Sequence, residues 1–505
     1  MKFELEAILK FSGILDEGKE TLRECIDDAN KDLLKRGVPK DVNGGASVDE
    51  YSAEADLLHL HIVSDRYVRA HDALIRLRKK LSEEMGKKYR IGVRELQIEY
   101  YTIQFELIRP PETPFVLPFV DEIKFDNNSC TISVKSLTEE QLSNNYVDRI
   151  IQRIKEKIDA QYYGGKEELW NLVWASGEKN IAWEKDPTEE MEKLGWIKQG
   201  PTKGKWFYRP QAAKILRCME EIAIKEVLEP LGFQEVIESM MVPFDVWQKT
   251  GHMEGVPNEV YYVCEPKSRD PKEWEEFVDV INITQDVPLD KLKELISPPR
   301  AGISYAQCPI IYWSLKNSTV ADDSLPILLY DKTVPSARYE SGGRHGIERV
   351  DEFHRIEPVY IGTKEQLLKL KEDLIDRYKH VFQDILDLEW RMAKVAPFYM
   401  QQSGHGSDEV EEEDLGTIDF EAYMPYRGTR EESEWLEFQN LSIFKKYTKS
   451  FNIKSQSKEL YSGCSGIGLE RWASAFLAQK GLDPEAWPKE FRKRCGDLPK
   501  GLNLL

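Results

Sequence analysis

The chain has 505 residues, a length that predicts two or three compact units, and 41% of its residues are hydrophobic, enough for a sizeable core. Its formal net charge of -19 excludes a protein that coats nucleic acid by general attraction, so a polynucleotide partner must bind at a local basic patch. No apolar run approaches the roughly 18 residues of a membrane span and no signal pattern is present, which excludes a membrane protein and predicts a cytoplasmic one.

Residues 1–164 predict an N-terminal α/β domain. Apolar and polar residues alternate over 2–11 and 55–63, as in half-buried strands, and four more strand candidates read RIGVRE, QIEYYTIQFELI, PFVDEIKF and CTISVKS. Helical periodicity occurs near 15–36, 65–85 and 138–160. The prediction is about six antiparallel strands and three helices. Gly164 and Gly165 then indicate a linker, which separates domain 1–164 from domain 165–505.

A basic run stands out in this otherwise acidic domain. From Arg66 to Arg94 the chain has ten lysines or arginines and only three acidic residues. Such a concentration suits contacts with phosphates, whose recognition is largely electrostatic. It suits a solvated helix face equally well. For a tRNA partner, the candidate contact residues are Arg76, Arg78, Lys79 and Lys80.

The next stretch, 166–206, is rich in tryptophan and charge and is interpreted as helices that pack on the second domain. An amphipathic helix then reaches Leu228, ends at Pro230 and Gly232, and leads into a strand that Pro243 closes. This helix and strand suit either an ordinary α/β unit or a dimerisation element. Residues 267–300 predict an inserted helix-turn-helix, whose acidic composition favours packing over groove reading.

The stretch from Ser336 to Pro358, SARYESGGRHGIERVDEFHRIEP, predicts two antiparallel strands joined by a long glycine-rich loop. Arg338 and Arg349 lie towards its two ends, and Phe353 offers a flat ring. Arginine forks bind phosphates, and an aromatic face can stack on a base. The hairpin therefore suggests a nucleoside triphosphate site, and the alternative is a charged surface loop.

The rest of the second domain is predicted as strands and helices in the order that follows. Residues 301–363 are predicted as strands, including the segment around Cys308, and residues 364–392 as one long helix. A polar loop over 400–416 contains Gln402. The last segments are two strands and a strand, turn and helix, and they carry Glu434, Glu437, Gln439, Asn440 and Arg471.

Three of these segments, in this order, resemble motifs 1, 2 and 3 of the class II aminoacyl-tRNA synthetases. They are the helix and strand ending at Pro243, the hairpin with Arg338-x-Glu340 and Arg349-x-x-x-Phe353, and Gly466-Ile467-Gly468-Leu469-Glu470-Arg471. The resemblance implies an α+β domain with an antiparallel sheet flanked by helices, and a homodimer formed through motif 1. It also implies a set of ATP-binding residues: Arg338 on the α-phosphate, Glu340 beside it, Arg349 on the far phosphates, Phe353 and Arg471 on the two faces of adenine, and Glu434 on a Mg²⁺ ion.

The seven cysteines are scattered without a CxxC pair, which fits a reducing compartment and mostly buried thiols. Cys308, Glu357 and Cys464 are each expected on a strand next to one of the motifs. Two thiolates and a carboxylate make a three-ligand zinc set with an open fourth position. Their spacing alone does not establish a shared site, but the pattern is similar to the zinc site of the methanogenic-type seryl-tRNA synthetases, which holds one zinc ion per subunit.

That resemblance, over essentially the whole chain, implies a serine–tRNA ligase that uses ATP to make seryl-adenylate and passes the seryl group to tRNA(Ser). Arg338 and Arg471 would be the catalytic residues, and zinc would bind the α-amino group of serine. Candidate serine-binding residues are Gln402, Asn440 and Glu340, although Gln401 suits the role of Gln402 equally well. Whether tRNA(Sec) is also charged stays open.

Two other functions share much of this pattern. Amino acid:carrier protein ligases resemble the catalytic domain and its zinc triad but pass the aminoacyl group to a phosphopantetheine thiol. They lack a comparable N-terminal domain, so residues 1–164 favour tRNA as the acceptor. The second alternative is a non-catalytic synthetase paralogue that binds tRNA. Intact Arg338, Arg471, Glu434 and the triad argue against it.

Overall fold

The computed structural model describes residues 1–39, 41–162, 170–181, 183–333, 335–340, 343–395 and 415–502. The chain divides into two compact units, Met1–Glu167 and Glu168–Leu505, whereas the sequence prediction put the boundary between residues 164 and 165. Each unit has a hydrophobic core of its own. No helix within the described ranges is long and apolar enough to cross a membrane.

The N-terminal unit is a six-stranded antiparallel sheet with helices packed on it. Its strands are β1 (Lys2–Phe11), β2 (Ala46–Glu54), β3 (Leu57–Asp65), β4 (Val93–Glu106), β5 (Val120–Asp126) and β6 (Ser129–Val134). Its helices are α1 (Lys19–Lys31), α2 (Ala70–Tyr89), α3 (Glu139–Ser143) and α4 (Tyr146–Tyr162). The strand order is β2-β3-β1-β4-β6-β5. Alternate apolar residues of the strands and the apolar faces of the helices form one core.

The predicted total of six strands is correct for the described part of this unit. Two of the predicted strands, however, are a single strand in the structure, and one strand was not predicted. The segments RIGVRE and QIEYYTIQFELI form the single strand β4. The unpredicted strand is β2, which lies at the sheet edge and buries only Ala46 and Val48, so its sequence lacks the alternation of a half-buried strand. The helix predicted over 138–160 is two helices, because Asn145 adopts a left-handed φ of 58° between them.

The C-terminal unit contains the remaining strands and helices. The strands are β7 (Trp170–Ala175), β8 (Ile197–Gln199), β9 (Trp206–Tyr208), β10 (Gln234–Glu235), β11 (Met241–Pro243), β12 (Tyr262–Val263), β13 (Ala301–Ile303), β14 (Thr319–Val320), β15 (Ile327–Asp331), β16 (Ser336–Ala337), β17 (Glu352–Phe353), β18 (Arg355–Gly362), β19 (Trp390–Val395), β20 (Gly416–Ala422), β21 (Leu436–Phe444), β22 (Lys454–Ser455), β23 (Tyr461–Cys464) and β24 (Ile467–Gly468). The helices are α5 (Pro187–Lys193), α6 (Pro210–Ile222), α7 (Phe244–Thr250), α8 (His252–Gly255), α9 (Glu275–Thr284), α10 (Leu289–Leu295), α11 (Cys308–Ser314), α12 (Lys364–Lys379), α13 (Lys446–Ser450), α14 (Leu469–Lys480) and α15 (Lys489–Cys495).

The main sheet of this unit has nine strands in the order β10-β15-β18-β23-β21-β20-β19-β7, with β24 pairing with both β18 and β21. Its pairs are antiparallel except for the parallel contact between β10 and β15. Strand β18 is buried except at Arg355, and α6, α12 and α14 contribute apolar residues to the core beside the sheet. The predicted α+β class, an antiparallel sheet flanked by helices, is confirmed.

Several predicted elements of the C-terminal unit are different in the structure. The stretch over 166–206 forms β7, α5, β8 and β9 rather than helices alone. The strand predicted up to Pro243 is split into β10 and β11, which belong to different sheets. The helix predicted over 364–392 ends in a π-helical turn at His380–Ile385, and Asp387 takes a left-handed φ of 54° before β19 begins. The predicted insertion at 267–300 contains α9 and α10.

Candidate active site

A cavity of about 490 Å³ opens in the C-terminal unit between the β16–β17 hairpin, strand β21 and the start of α14. The predicted site residues that line it are Cys308, Arg338, Arg349, Phe353, Glu357, Glu434, Asn440, Cys464 and Arg471. Glu340 is not among the residues that line it, and Gln402 lies outside the described residues. The predicted RNA-binding residues Arg76, Arg78, Lys79 and Lys80 lie on α2 of the N-terminal unit.

The hairpin that carries the nucleotide candidates is held by one buried carboxylate, Asp351. Ser336 pairs with Phe353 and Ala337 with Glu352, so the two ends of the loop lie side by side. Asp351 accepts two hydrogen bonds of 2.8 Å from Arg344 and one of 2.7 Å from the Tyr261 hydroxyl. These bonds cross-link the described part of the loop and tie it to Tyr261, outside the hairpin.

Arg338 is a partly buried cation at the cavity wall, with 23% of its side chain exposed. Its guanidinium donates to Tyr305 Oη at 3.0 Å and to Glu340 Oε2 at 2.7 Å. Burial opposes the charge, but these two partners outweigh it and raise the pKa of Arg338 above its ordinary value. Glu340 thus holds Arg338 in place, and the fixed positive charge can stabilise an anion in the cavity.

Arg471 lies near the start of α14 and is held by strand β21 and by the hairpin. It donates to the carbonyl of Glu437 at 2.8 Å, to the carboxylate of Glu437 at 2.9 Å and to the carbonyl of Glu348 at 3.2 Å. Across the cavity mouth, Arg349 forms an ion pair with Glu434, whose side chain is mostly exposed. These hydrogen bonds therefore hold Arg471 in one position. The Arg349–Glu434 ion pair, in contrast, can open, and each partner can then bind a ligand group.

Glu348 is a buried carboxylate that the sequence prediction missed. It lies 2.7 Å from His345 Nδ1 and accepts hydrogen bonds of 2.8 Å from Tyr426 and from Arg427. Burial works against its charge, yet His345, Arg427 and Tyr426 hold the pKa of Glu348 below its ordinary value. The sequence gives no sign that this glutamate is buried, because exposed and buried acidic residues look the same in it.

The position of Gly346, beside this carboxylate, requires a glycine. It has a left-handed φ of 51°, and a Cβ there would lie 2.2 Å from Glu348 Oε2 and 2.7 Å from Thr188 Oγ1. Only glycine lets the backbone pass this close to Glu348.

A second missed carboxylate, Glu470, joins the hairpin to α14. It accepts a hydrogen bond of 2.9 Å from the backbone N–H of His354 and lies 2.7 Å from His354 Nδ1. His354 follows Phe353 in the chain, and Glu470 precedes Arg471. The contact therefore fixes the spacing of Phe353 and Arg471, the two residues predicted to enclose an adenine ring.

Cys308, Glu357 and Cys464 form one buried cluster whose ligand atoms all lie within 4.8 Å of one another. Glu357 is on β18 and Cys464 on the neighbouring β23, as predicted, but Cys308 begins helix α11 instead of lying on a strand, because Pro309 starts a helix there. The Cys464 thiol and burial raise the pKa of Cys308, and burial raises the pKa of Glu357. The three side chains come from distant parts of the sequence, so only the fold brings them together.

The donor chemistry of this cluster fits a zinc ion. Arg355 forms an ion pair with Glu357, but neither carboxylate oxygen has a hydrogen-bond partner of ordinary geometry in the described part of the chain. The Arg355 guanidinium offsets part of the cost of burying this carboxylate, and a metal ion bound to its oxygens and to the two sulfurs would satisfy it as well. Two thiolates and a carboxylate are typical zinc ligands, and three protein ligands leave a position for a further molecule.

Asn440 lines the same cavity as the cluster and the two arginines. Its amide oxygen accepts a hydrogen bond of 2.8 Å from the N–H of Gly466, which fixes the side chain. A Cβ at Gly466 would lie 2.3 Å from Arg355 Nη2, so a side chain there would displace the Arg355 guanidinium. Gln439, next to Asn440, is buried and bonded to Ser465 and Trp472, which indicates a structural role.

Comparisons with known proteins cover the whole chain. A family model described as a tRNA-binding domain matches residues 1–156. The chain is 47% identical to a type-2 serine–tRNA ligase of Methanothrix thermoacetophila and 46% identical to that of Methanococcoides burtonii, in both cases over 100% of each chain. It is also similar to the crystal structure of Methanopyrus kandleri SerRS in complex with Aquifex aeolicus tRNASec, with a TM-score of 0.86, 31% identity and coverage of 100% of this chain and 99% of the other.

Replacing Glu348 by glutamine is expected to lower the free energy of unfolding of the C-terminal unit by about 2 kcal/mol, because charged hydrogen bonds to a buried carboxylate are lost. All 12 tryptophans lie in this unit, so tryptophan fluorescence during urea unfolding reports on it. Glu352→Gln is the matched control. That glutamate is on the same hairpin, but its carboxylate is 51% exposed, so its replacement should cost less than about 0.5 kcal/mol.

The same variant should change the titration of His345. Glu348 raises the pKa of His345, so their interaction stabilises the protein fully below the unfolded value near 6.5 and is lost as the pH rises through the higher folded value. In Glu348→Gln the pKa of His345, measured by NMR, should fall. If both this pKa and the urea midpoint stay unchanged, Glu348 does not hold the loop.

Proposed function

This chain belongs to the type-2 serine–tRNA ligase family and is a serine–tRNA ligase, and from that premise we propose how its cavity carries out the reaction. The cavity binds serine and ATP, forms seryl-adenylate with release of pyrophosphate, and passes the seryl group to the terminal ribose of tRNA(Ser). One observation carries this proposal. A single cavity joins Arg338, Arg471 and the cluster of Cys308, Glu357 and Cys464.

In the first step, the serine carboxylate attacks the α-phosphorus of ATP. Negative charge builds on the phosphate oxygens during this attack, and a fixed buried cation stabilises it. Arg338 supplies that cation, and Glu340 and Tyr305 hold it in position. Adenine lies between Phe353 and Arg471, which Glu437 orients. Arg349 binds the far phosphates, and Glu434 binds the Mg²⁺ ion that accompanies ATP, once the ion pair between them opens.

Cys308, Glu357 and Cys464 hold one zinc ion per subunit in this proposal. When bound, the ion supplies a Lewis-acid position for the α-amino group of serine. Selection of the side chain then depends on the rest of the pocket. A small pocket excludes the methyl group of threonine, and a polar partner for the hydroxyl rejects alanine. Asn440 is the described candidate for that partner, because its amide is fixed at the cavity wall, and Gln402 is a second.

The match over the full length, including residues 1–156, supports tRNA rather than a carrier protein as the acceptor. On α2, Leu74, Leu77 and Leu81 are buried while Lys79 is exposed, so the helix presents its basic side away from the core. Arg76 donates to the carbonyl of Arg36, and Arg78 pairs with Glu139. We assign this face, with Lys80, to the phosphates of tRNA. Charging of tRNA(Sec) is part of the proposal because the structurally similar synthetase was captured with tRNASec.

A homodimer through the motif 1 region is the remaining part of the proposal. Around β10 and β11, Ile237 is 80% exposed, and Met240 and Met241 are each almost half exposed. Exposed apolar side chains of this size gathered in one short segment are typical of a surface that another protein covers. A second copy of the chain is the partner that the family resemblance implies.

Cys308→Ser and Cys464→Ser should each lose zinc and serine activation together. Zinc per chain, measured by inductively coupled plasma mass spectrometry, is expected to fall from one to near zero, and serine-dependent ATP–pyrophosphate exchange to fall by about 100-fold or more. Cys495→Ser is the control, since Cys495 is also buried in the C-terminal unit but lies outside the cluster. A full zinc complement in both cluster variants contradicts the zinc site. Exchange should be tested with all amino acids, and transfer with tRNA(Ser), tRNA(Sec) and a carrier protein.

Charge reversal at Arg76, Arg78 and Lys79 should weaken tRNA binding by about 10-fold or more at low salt, because phosphate contacts are largely electrostatic. Pyrophosphate exchange, which needs no tRNA, should stay at the level of the unaltered enzyme. The single variant Lys79→Glu keeps the ion pair of Arg78 with Glu139. Weaker tRNA binding by this variant would therefore come from a lost phosphate contact and not from a folding defect. The matched control reverses the exposed Lys19, Arg23 and Lys31 on α1. Equal binding by both triple variants would place the RNA elsewhere on the N-terminal unit.

Ile237→Asp is expected to raise the dimer dissociation constant by about 100-fold, since a charge would be buried at the interface centre. Sedimentation equilibrium should give twice the 58.6 kDa chain mass for the unaltered protein and a mixture with monomer for the variant. Ile283→Asp is the matched control, because Ile283 is 82% exposed but lies in the insertion. The same mass for both variants argues against this interface.

A further inference from the structure

A cluster of lysines forms a basic surface on the C-terminal unit that has no role in the chemistry described above. Residues 445–458 contain five lysines and no aspartate or glutamate, in a chain whose net charge is -19. The lysine surface is defined here as Lys445, Lys449, Lys454 and Lys458, which line a shallow depression of about 360 Å³ together with Asn452 and Ser455. Such a concentration of one charge is unusual in an acidic protein.

Three of these lysines form no ion pair in the described part of the chain. Lys449, Lys454 and Lys458 are exposed, and no carboxylate there lies within 4.0 Å of their ammonium groups. Lys445 differs, because it pairs with Glu459 at 2.6 Å. Mutual repulsion of unpaired cations destabilises the fold slightly, so a bound polyanion is the partner that would relieve it.

The lysine surface is built on a rigid part of the fold. Helix α13 carries Lys449 and strand β22 carries Lys454, and β22 pairs with β14. Tyr447, Phe451 and Ile453 are buried between the lysines and anchor the segment in the core. Thr448 Oγ1 donates to the carbonyl of Leu460 at 3.0 Å. The positive charges therefore keep fixed spacings, as a binding site needs, instead of moving with a loose tail.

The carboxylates nearest to this surface leave it positive. Glu459 is occupied by Lys445, and Asp322 accepts hydrogen bonds from the backbone and side chain of Ser457. The pKa of Glu365 is lowered chiefly by its own backbone N–H and by Thr363, and Lys458 contributes least. A phosphate at the depression would thus meet more cations than anions.

Two strands connect the lysine surface to the cavity. Strand β21 carries Asn440 at the cavity and ends at Phe444, just before Lys445. Strand β23 runs from Tyr461 beside the surface to Cys464 in the cluster. Five residues of extended strand separate Asn440 from Lys445, a distance of roughly 17 Å. A polyanion that reaches into the cavity at one end can therefore contact the lysine surface further along its length.

We propose that the lysine surface binds the sugar-phosphate backbone of the tRNA substrate while the acceptor end of that tRNA lies in the cavity. The inference rests on the proposed function, which supplies a polyanion whose end must enter the cavity. ATP is too small to bridge the two places. Lysine ammonium groups bind phosphates without reading bases, so this surface positions the RNA and does not select its sequence.

The test replaces Lys449, Lys454 and Lys458 together by glutamine in the full-length enzyme. The dissociation constant for tRNA(Ser), measured by filter binding, should rise roughly 10-fold or more at low salt, and the slope of log Kd against log[salt] should fall by about two to three. Serine-dependent pyrophosphate exchange should not change. The control carries Lys489→Gln, Lys493→Gln and Lys500→Gln, which remove the same charge from exposed positions of the same unit.

Binding and exchange are measured separately, so failure of this proposal differs from failure of the proposed function. Absence of serine-dependent exchange in the unaltered enzyme counts against the proposed function. A Kd and salt slope equal to those of the control variant overturn the lysine surface, and so does a loss of exchange that matches the loss of binding. Replacement of the three lysines by arginine should preserve binding.

A second measurement needs no variant. Bound tRNA(Ser) should protect Lys449, Lys454 and Lys458 from acetylation in the unaltered enzyme, as detected by mass spectrometry, and leave Lys489, Lys493 and Lys500 reactive. Protection of neither set overturns the proposal. Equal protection of both sets also overturns it, because it would indicate general coating rather than a defined surface.

Discussion

Buried carboxylates with fixed partners hold the nucleotide side of the cavity together. Asp351 cross-links the hairpin through Arg344, Glu348 binds His345 and Arg427, and Glu470 joins His354 to α14. An unpaired buried charge costs several kcal/mol, so each carboxylate keeps its partners close and the partners position their neighbours. Arg338 can then present a fixed positive charge to a phosphate, and Arg471 a fixed guanidinium to a ring, without reorganising. Because the hairpin and the helix share these contacts, the two motifs form one unit.

The amino-acid side of the cavity depends on the main sheet. Strands β18 and β23 are neighbours, so Glu357 and Cys464 meet, and helix α11 brings Cys308 to them. Arg355 pairs with this enclosed carboxylate, and the two thiols beside it fit zinc better than a hard metal such as Mg²⁺. The same strands lead away from the cavity to the lysine surface, so one sheet can set the distance between the end of a tRNA and its backbone.

The negative net charge of the chain limits RNA contact to local basic surfaces. The chain has a net charge of -19, and α2 and the segment from Lys445 to Lys458 are two places where basic residues are concentrated. Local basic surfaces in an acidic protein direct the RNA to particular places and disfavour unspecific coating. The family match over residues 1–156 describes a tRNA-binding domain, and we propose that both surfaces contact the same tRNA.

The sequence by itself determined the periodic elements, the hairpin with Arg338, Arg349 and Phe353, the turn before Arg471 and, by resemblance, the chemistry of serine activation. These features are local, since side-chain spacing and glycine positions are visible along the chain. It did not show that Cys308 begins a helix, that β2 is a strand, or that Glu348 and Glu470 are buried, because an exposed and a buried glutamate look the same in a sequence. Only the tertiary structure decided which charges leave water, and it did so by pairing strands and helices that lie far apart in the chain.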